Sequence, residues 1–280
     1  MAVEPLNALA CPLDGKALTP ERQAWRCAGG HSFDTARQGY VNLLPVQNKR
    51  SKDPGDSKDM VAARQRFLNA GHYRPIARAV SQMVLHGLAG QAHELCCLDA
   101  GCGEGYYLRE LAAAASDTTL CLSGLDISKW AVQAAAKQDA RPRWIVGSNA
   151  GLPILPGTVD RVLCLFGFAV YSEFHRVLKP GGLLIKADAG ADHLRELREI
   201  IYPTLKPQKA AGRDVPEGFA VVATDTLRFA LTLDSPDAIA DLLAMTPHFY
   251  RAPVEGRDKA GRLETLTVTV EIDLAQLRRV

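Results

Sequence analysis

The chain has 280 residues, 47% hydrophobic and 23% charged, enough to bury one sizeable core plus an appendage, which excludes a disordered or fibrous protein. The net charge of +2 hides an asymmetry: residues 1–80 carry 12 Lys+Arg against 7 Asp+Glu, so a basic front end that could meet a polyanion precedes a mildly acidic body. There is no apolar run of bilayer-spanning length and no signal-peptide pattern, so the expected compartment is the cytoplasm, with no membrane partner and the seven cysteines kept as thiols.

Residues 1–45 are rich in turn formers (Pro12, Asp14-Gly15, Gly29-Gly30, Gly39) and read as a small ribbon of short strands. Within it, "CPLDGKALTPERQAWRCAGGHSF" places Cys11, Asp14, Cys27 and His31 at the spacing of a zinc knuckle, although a carboxylate stands at the second position. Aspartate is a competent but harder ligand than thiolate, so a weakened zinc site is expected; the alternative is a metal-free ribbon with two buried thiols. Residues 46–60, "VQNKRSKDPGDSKDM", are charged and broken by Pro54-Gly55, the pattern of a basic linker or functional loop. From Val61 to Leu88 the spacing of Ile76, Val80, Met83, Val84 and Leu88 predicts helix.

The rest, 61–280, alternates strand and helix. Apolar strands in "ELCCLDAGCGEGYYL", "LCLSGLDIS", "RWIVGSNAGLPI", "VDRVLCLFGF" and "GGLLIKADAG" are interleaved with helices at 106–115 and 128–138, predicting a parallel sheet covered on both faces. Near the C-terminus, "FAVVATDTLRFALTL" and "LETLTVTVEIDL" predict an antiparallel pair at the sheet edge, flanking a short helix that starts at Ser235-Pro236.

The most informative stretch is Asp99-Ala100-Gly101-Cys102-Gly103-Glu104-Gly105. Three glycines let the backbone approach a ligand, and the preceding acid disfavours a pyrophosphate while suiting the ammonium of S-adenosylmethionine. Asp126 closes the next strand, where a carboxylate can take both ribose hydroxyls. Asp99, Gly101, Gly103, Glu104 and Gly105 are therefore expected at the methionine end, Asp126 at the ribose, and Ser148 or Asn149 by the adenine.

This pattern, with "VLKPGG" before strand five, resembles class I S-adenosylmethionine-dependent methyltransferases, whose α/β fold is a seven-stranded, Rossmann-like sheet. With the Cys/His segment, "HSFDTARQGYVNLLPVQNKRSKDPGDS", "FLNAGHY", "LDAGCGEGYY" and "MTP", the chain is similar to the bacterial 23S rRNA (guanine-N1)-methyltransferases, in the Gram-negative branch more than the macrolide-resistance branch. The resemblance implies a zinc-ribbon-like RNA-recognition domain, methylation of a guanine-745-type hairpin in 23S rRNA, a homodimer, and cofactor contacts from Tyr73, Gly103, Glu104 and His193. It also places Phe168 where the family has a tyrosine, so that the ring can stack on a flipped base without a hydroxyl contact. Removing the guanine N1 proton calls for a base; Asp53, Asp56, His72 and His248 are the candidates, unranked. Lys49, Arg50, Lys52, Lys58, Arg64 and Arg66 are expected against RNA phosphates. The rival readings are a small-molecule methyltransferase and a non-catalytic RNA-binding protein that keeps the fold.

Overall fold

The computed structural model describes residues 2–48, 51, 53–87, 94–115, 118–205 and 215–280. Its centre is a sheet of five parallel strands: β6 (Glu94–Ala100), β7 (Thr119–Asp126), β8 (Arg143–Val146), β9 (Val159–Leu165) and β10 (Leu178–Ala189). Two long antiparallel strands, β11 (Phe219–Leu233) and β12 (Leu266–Arg279), finish one side, with β12 pairing to β10 and β11 at the edge. The order is β11-β12-β10-β9-β6-β7-β8, and it reverses between β6 and β9, the crevice where sheets of this kind bind ligands at their carboxyl ends. The apolar runs sit here because both faces are covered: Leu98, Leu120, Leu122, Ile145, Val162 and Leu163 are buried.

The sheet has nine strands rather than the expected seven, because the N-terminal segment is stitched into it. β1 (Val3–Pro5) pairs in parallel with the first half of β7, and β5 (Val41–Asn42) extends the sheet beyond β8. Between them β2 (Leu18–Glu21), β3 (Ala24–Cys27) and β4 (Ser32–Asp34) form a separate antiparallel ribbon. Leu9, Leu18 and Trp25 of the ribbon share one apolar cluster with Leu98, Ile145 and Val162 of the sheet, so the ribbon takes the place of a covering layer.

The opposite face carries the helices except the one at Tyr171–Val177, whose Phe174 and Val177 lie in the ribbon's cluster. The predicted 61–88 run is two helices, α1 (Lys58–Asn69) and α2 (Arg74–Leu85), because Gly71 turns the chain with φ 86° between them; Leu88 lies outside the described residues. Ser57 caps α1 by accepting from the Met60 N–H at 3.3 Å, so the last residues of the 46–60 segment are already helical. α3 (Tyr106–Ala114) and α4 (Lys129–Gln138, capped by Ser128) fall where expected. α5 (Tyr171–Val177) and α6 (Arg195–Ile201) flank β10. Between β11 and β12 there are three helices, where one was predicted: α7 (Pro236–Ala244, capped by Ser235), α8 (His248–Arg251) and α9 (Val254–Ala260). Among the described residues no helix is long and apolar enough to cross a membrane.

Candidate functional site

The turn from β6 into α3 is built on left-handed backbone: φ is 104° at Gly101, 55° at Gly103 and 82° at Gly105. The three glycines serve different ends. A Cβ on Gly101 would meet nothing within 4 Å, so that glycine faces open space, whereas one on Gly105 would strike the Trp144 ring at 2.5 Å. Gly124 of β7 is likewise pressed on Trp144, so this indole, its Nε1 donating to the Asp139 carbonyl at 2.6 Å, is the floor under the loop.

Two carboxylates face the loop. Asp99 is buried, and neither oxygen finds a hydrogen-bond partner among the described residues; burial, then the charge of Asp126, pushes its carboxyl up to about 8. Asp126 accepts from the Gly103 N–H at 3.0 Å and the Ser128 N–H at 2.8 Å, and burial raises its pKa as well. Orphaned buried oxygens beside an open glycine cradle fit a cationic group. The ammonium of S-adenosylmethionine supplies one, and Asp126 is left with lone pairs for a ribose.

The other expected cofactor residues are placed as follows. Glu104 is fully buried, with Oε2 held by Arg109 (2.9 Å) and Gln138 (2.5 Å), so Oε1, without a partner among the described residues, is the oxygen left to meet a ligand. Asn149 donates from Nδ2 to the carbonyls of Ala100 (3.2 Å) and Phe168 (3.1 Å), tying β6 to the loop after β9, and leaves Oδ1 buried with no partner among the described residues. Ser148 is turned to the Ala150 N–H. Tyr73, buried, points its hydroxyl at Nε2 of His193, 3.5 Å away; burial lowers the His193 pKa to about 4, so the imidazole is neutral at pH 7. Arg198 fixes the His193 segment by donating to the carbonyls of Ala191 and His193.

Sequence reasoning passed over Phe166 and Tyr107. Phe166 has φ 57°, uncommon for a bulky residue, and its ring lies between Tyr107 (centroids 6.4 Å apart) and His193 (6.5 Å, stacked). The signal was the Phe-Gly-Phe turn at the end of β9. Phe168, two residues on, is 92% exposed, an aromatic ring standing in solvent at the mouth of the crevice.

The candidate bases are scattered. Asp53 is exposed, while Asp56 is ion-paired to Arg64. His72 packs on Phe67 (4.6 Å) with its pKa lowered by burial. His248 Nδ1 lies within hydrogen-bond distance of the Tyr202 hydroxyl, at 3.0 Å, and burial lowers the His248 pKa too. Of the basic residues expected against RNA, Lys49, Arg50 and Lys52 lie outside the described residues, and Lys58 is exposed. Arg64 turns inward, bonding Asp56 and the Met245 carbonyl, whereas Arg66 stays exposed while gripping Asp241 at 2.5 to 3.2 Å.

In the ribbon, the Sγ atoms of Cys11 and Cys27 each lie 3.4 Å from Nδ1 of His31, while Oδ2 of Asp14 lies 3.4 Å from that nitrogen and 3.5 Å from Cys27 Sγ. All four ligand atoms fall within 4.8 Å of one another. A tetrahedral zinc with bonds of about 2.0–2.3 Å has ligand–ligand edges of about 3.3–3.8 Å, so the set fits. Gly29 is part of the fit, since a Cβ there would run into Asp14 Oδ2.

Comparison with known proteins agrees with this geometry. Residues 9–52 match a family model for the RlmA N-terminal zinc ribbon, and residues 97–182 match a methyltransferase domain. A 23S rRNA (guanine(748)-N(1))-methyltransferase of Streptomyces fradiae is 34% identical over 95% of this chain and 94% of its own. YxjB of Bacillus subtilis (strain 168), which carries a provisional name of the same class, is 32% identical over 88% of this chain and 87% of its own. By contrast, a malonyl-[acyl-carrier protein] O-methyltransferase of Coxiella burnetii is 30% identical over only 50% of this chain. The cofactor is thus S-adenosylmethionine, and the chain belongs to the family of 23S rRNA (guanine-N1)-methyltransferases.

Proposed function

We propose that this protein transfers the methyl group of S-adenosylmethionine to N1 of a guanine of the 745 type in a 23S rRNA hairpin. The observation that carries the reading is the joining of a methyl-donor crevice to a ribbon whose flanking strands, β1 and β5, are part of the same sheet as the crevice. Relatives that match half of the chain are named for acyl-carrier substrates, and those that match nearly all of it are named for rRNA.

The donor's methyl is already activated on a sulfonium, so the protein's task is mostly placement. Asp99 holds the ammonium and Asp126 the ribose. Tyr107, Phe166 and His193 wall the crevice, and Phe168 offers a stacking face to an extruded guanine. Cys11, Asp14, Cys27 and His31 hold zinc and brace the ribbon that meets the RNA. The reading carries two further assignments: the cytoplasm as compartment, and a homodimer. Support for the latter is the edge strand β11, where Ala220–Thr226 are exposed and Val221 and Val222 are 49% and 42% open.

Nucleoside mass spectrometry of the 23S rRNA hairpin tests the function. The 1-methylguanosine should vanish when the gene is deleted and return with the intact gene; its persistence in the deleted strain would overturn the substrate assignment.

A further inference from the structure

Arg64, expected on the RNA side, sits against the cofactor loop. Its Nη1 lies 3.7 Å from where a Cβ of Gly103 would be; the same guanidinium pairs with Asp56 and donates to the Met245 carbonyl at 3.0 Å. Asp56 belongs to the segment 53–57, which is seated on the residues after β7. The Asp56 carbonyl accepts from Ser128 Oγ at 2.7 Å. Gly55 has φ 83°, and a Cβ on it would come within 2.9 Å of Ile127 Cγ2 and of the Ser128 backbone N. Only glycine fits that seat. Ile127 and Ser128 directly follow Asp126, the ribose carboxylate, and the charges of both Asp56 and Arg64 reach it.

Resting on the cofactor assignment above, we propose that Asp56 and Arg64 form a latch holding the 53–57 strap over the nucleoside end of the cofactor site. Arg64 is then a positioning residue for S-adenosylmethionine and not a phosphate contact for RNA. The strap, the glycine loop and the α7–α8 corner at Met245 are joined through one guanidinium, so loss of any arm loosens the same closure.

The test is calorimetric titration of S-adenosylhomocysteine into the full chain, with hairpin RNA binding followed across a salt series. Arg64→Met and Gly55→Ala should each weaken S-adenosylhomocysteine about tenfold or more, Arg64→Lys should recover part of the loss, and the double variant should be no worse than the weaker single, the mark of a shared element. The salt slope of RNA binding should not change. Should Arg64→Met fail to fold, Gly55→Ala, on the surface strap, carries the test. Unchanged S-adenosylhomocysteine affinity in the variants would overturn the latch. So would a salt slope reduced by about one with cofactor affinity intact, which is the signature of a lost phosphate contact. Absence of binding by the wild-type chain would instead sink the cofactor assignment, and the latch with it.

Discussion

Asp99 is the residue whose chemistry is most exposed to a solution measurement. With its carboxyl at about 8 against an ordinary value near 3.9, the unliganded folded state binds a proton that the unfolded chain has released. Between those values stability therefore falls as pH rises, and the loss is complete above about 8. A bound ammonium favours the ionised form, so binding expels that proton. S-adenosylhomocysteine affinity should accordingly rise from pH 6 to 8, by up to about tenfold per unit, and flatten above 8. Asp99→Asn should bind weakly with no such slope; a flat profile in the wild type would show that Asp99 is ionised without ligand. The knuckle gives a second residue-level test. Metal analysis of protein purified without nickel, chelator or added zinc should find about one zinc per chain. Asp14→Cys should hold it more tightly against a competing chelator, and Gly29→Ala should lose it, because the new Cβ displaces the Asp14 carboxylate. A zinc content near zero in the wild type would mean that the ribbon folds on its apolar contacts alone.

At the scale of elements, the β6–α3 turn and the floor beneath it form one unit. Gly105 and Gly124 both abut Trp144, so adding a methyl to either pushes the loop off the indole. Gly105→Ala should abolish S-adenosylhomocysteine binding while costing about 1–3 kcal/mol of stability, with strain at φ 82° adding to the clash. Trp144→Leu, which opens the floor, should restore part of the binding; if it does not, the backbone conformation rather than the packing sets the requirement. The glycine turn of this unit was legible in the sequence because its residues are close in the chain and their spacing is imposed by the ligand; Gly124 and the Trp144 floor, distant in the chain, were not. The helix start at Ser235 was legible for a similar reason, since that cap acts within three residues; the caps at Ser57 and Ser128 act as locally but were passed over, and the one at Ser57 starts α1 inside the segment read as a linker. The partners of Glu104 were not visible, and neither were those of Arg66. Gln138 lies 34 residues from Glu104, and Asp241 lies 175 from Arg66, so whether such a charge faces solvent, RNA or a buried mate is decided only by the fold. The insertion of β1 beside β7 and of β5 beside β8 was hidden in the same way, because two- and three-residue strands carry no periodicity.

Over the whole molecule, inward pairing of Arg64 and the ion pair of Arg66 with Asp241 leave less free positive charge to face RNA than the sequence suggested, and Phe168 is the most exposed aromatic among the described residues. Phe168→Ala removes a ring that packs on little, so its melting temperature should stay close to the wild type and its S-adenosylhomocysteine affinity should be unchanged. Methyl transfer to the hairpin should nevertheless fall about tenfold or more, as expected for a lost stacking contact of about 1–3 kcal/mol. A matching loss of stability would place the ring in the core instead. The central claim is that this crevice delivers a methyl group to guanine N1 of 23S rRNA. The most direct measurement incubates the purified chain with the isolated hairpin and S-adenosylmethionine carrying a labelled methyl, then maps the labelled nucleoside by mass spectrometry. The label should appear as 1-methylguanosine at a single guanine, and Asp126→Ala should abolish it while hairpin binding persists. A label on another atom or another nucleoside, or none with cofactor bound and the hairpin intact, would contradict the account.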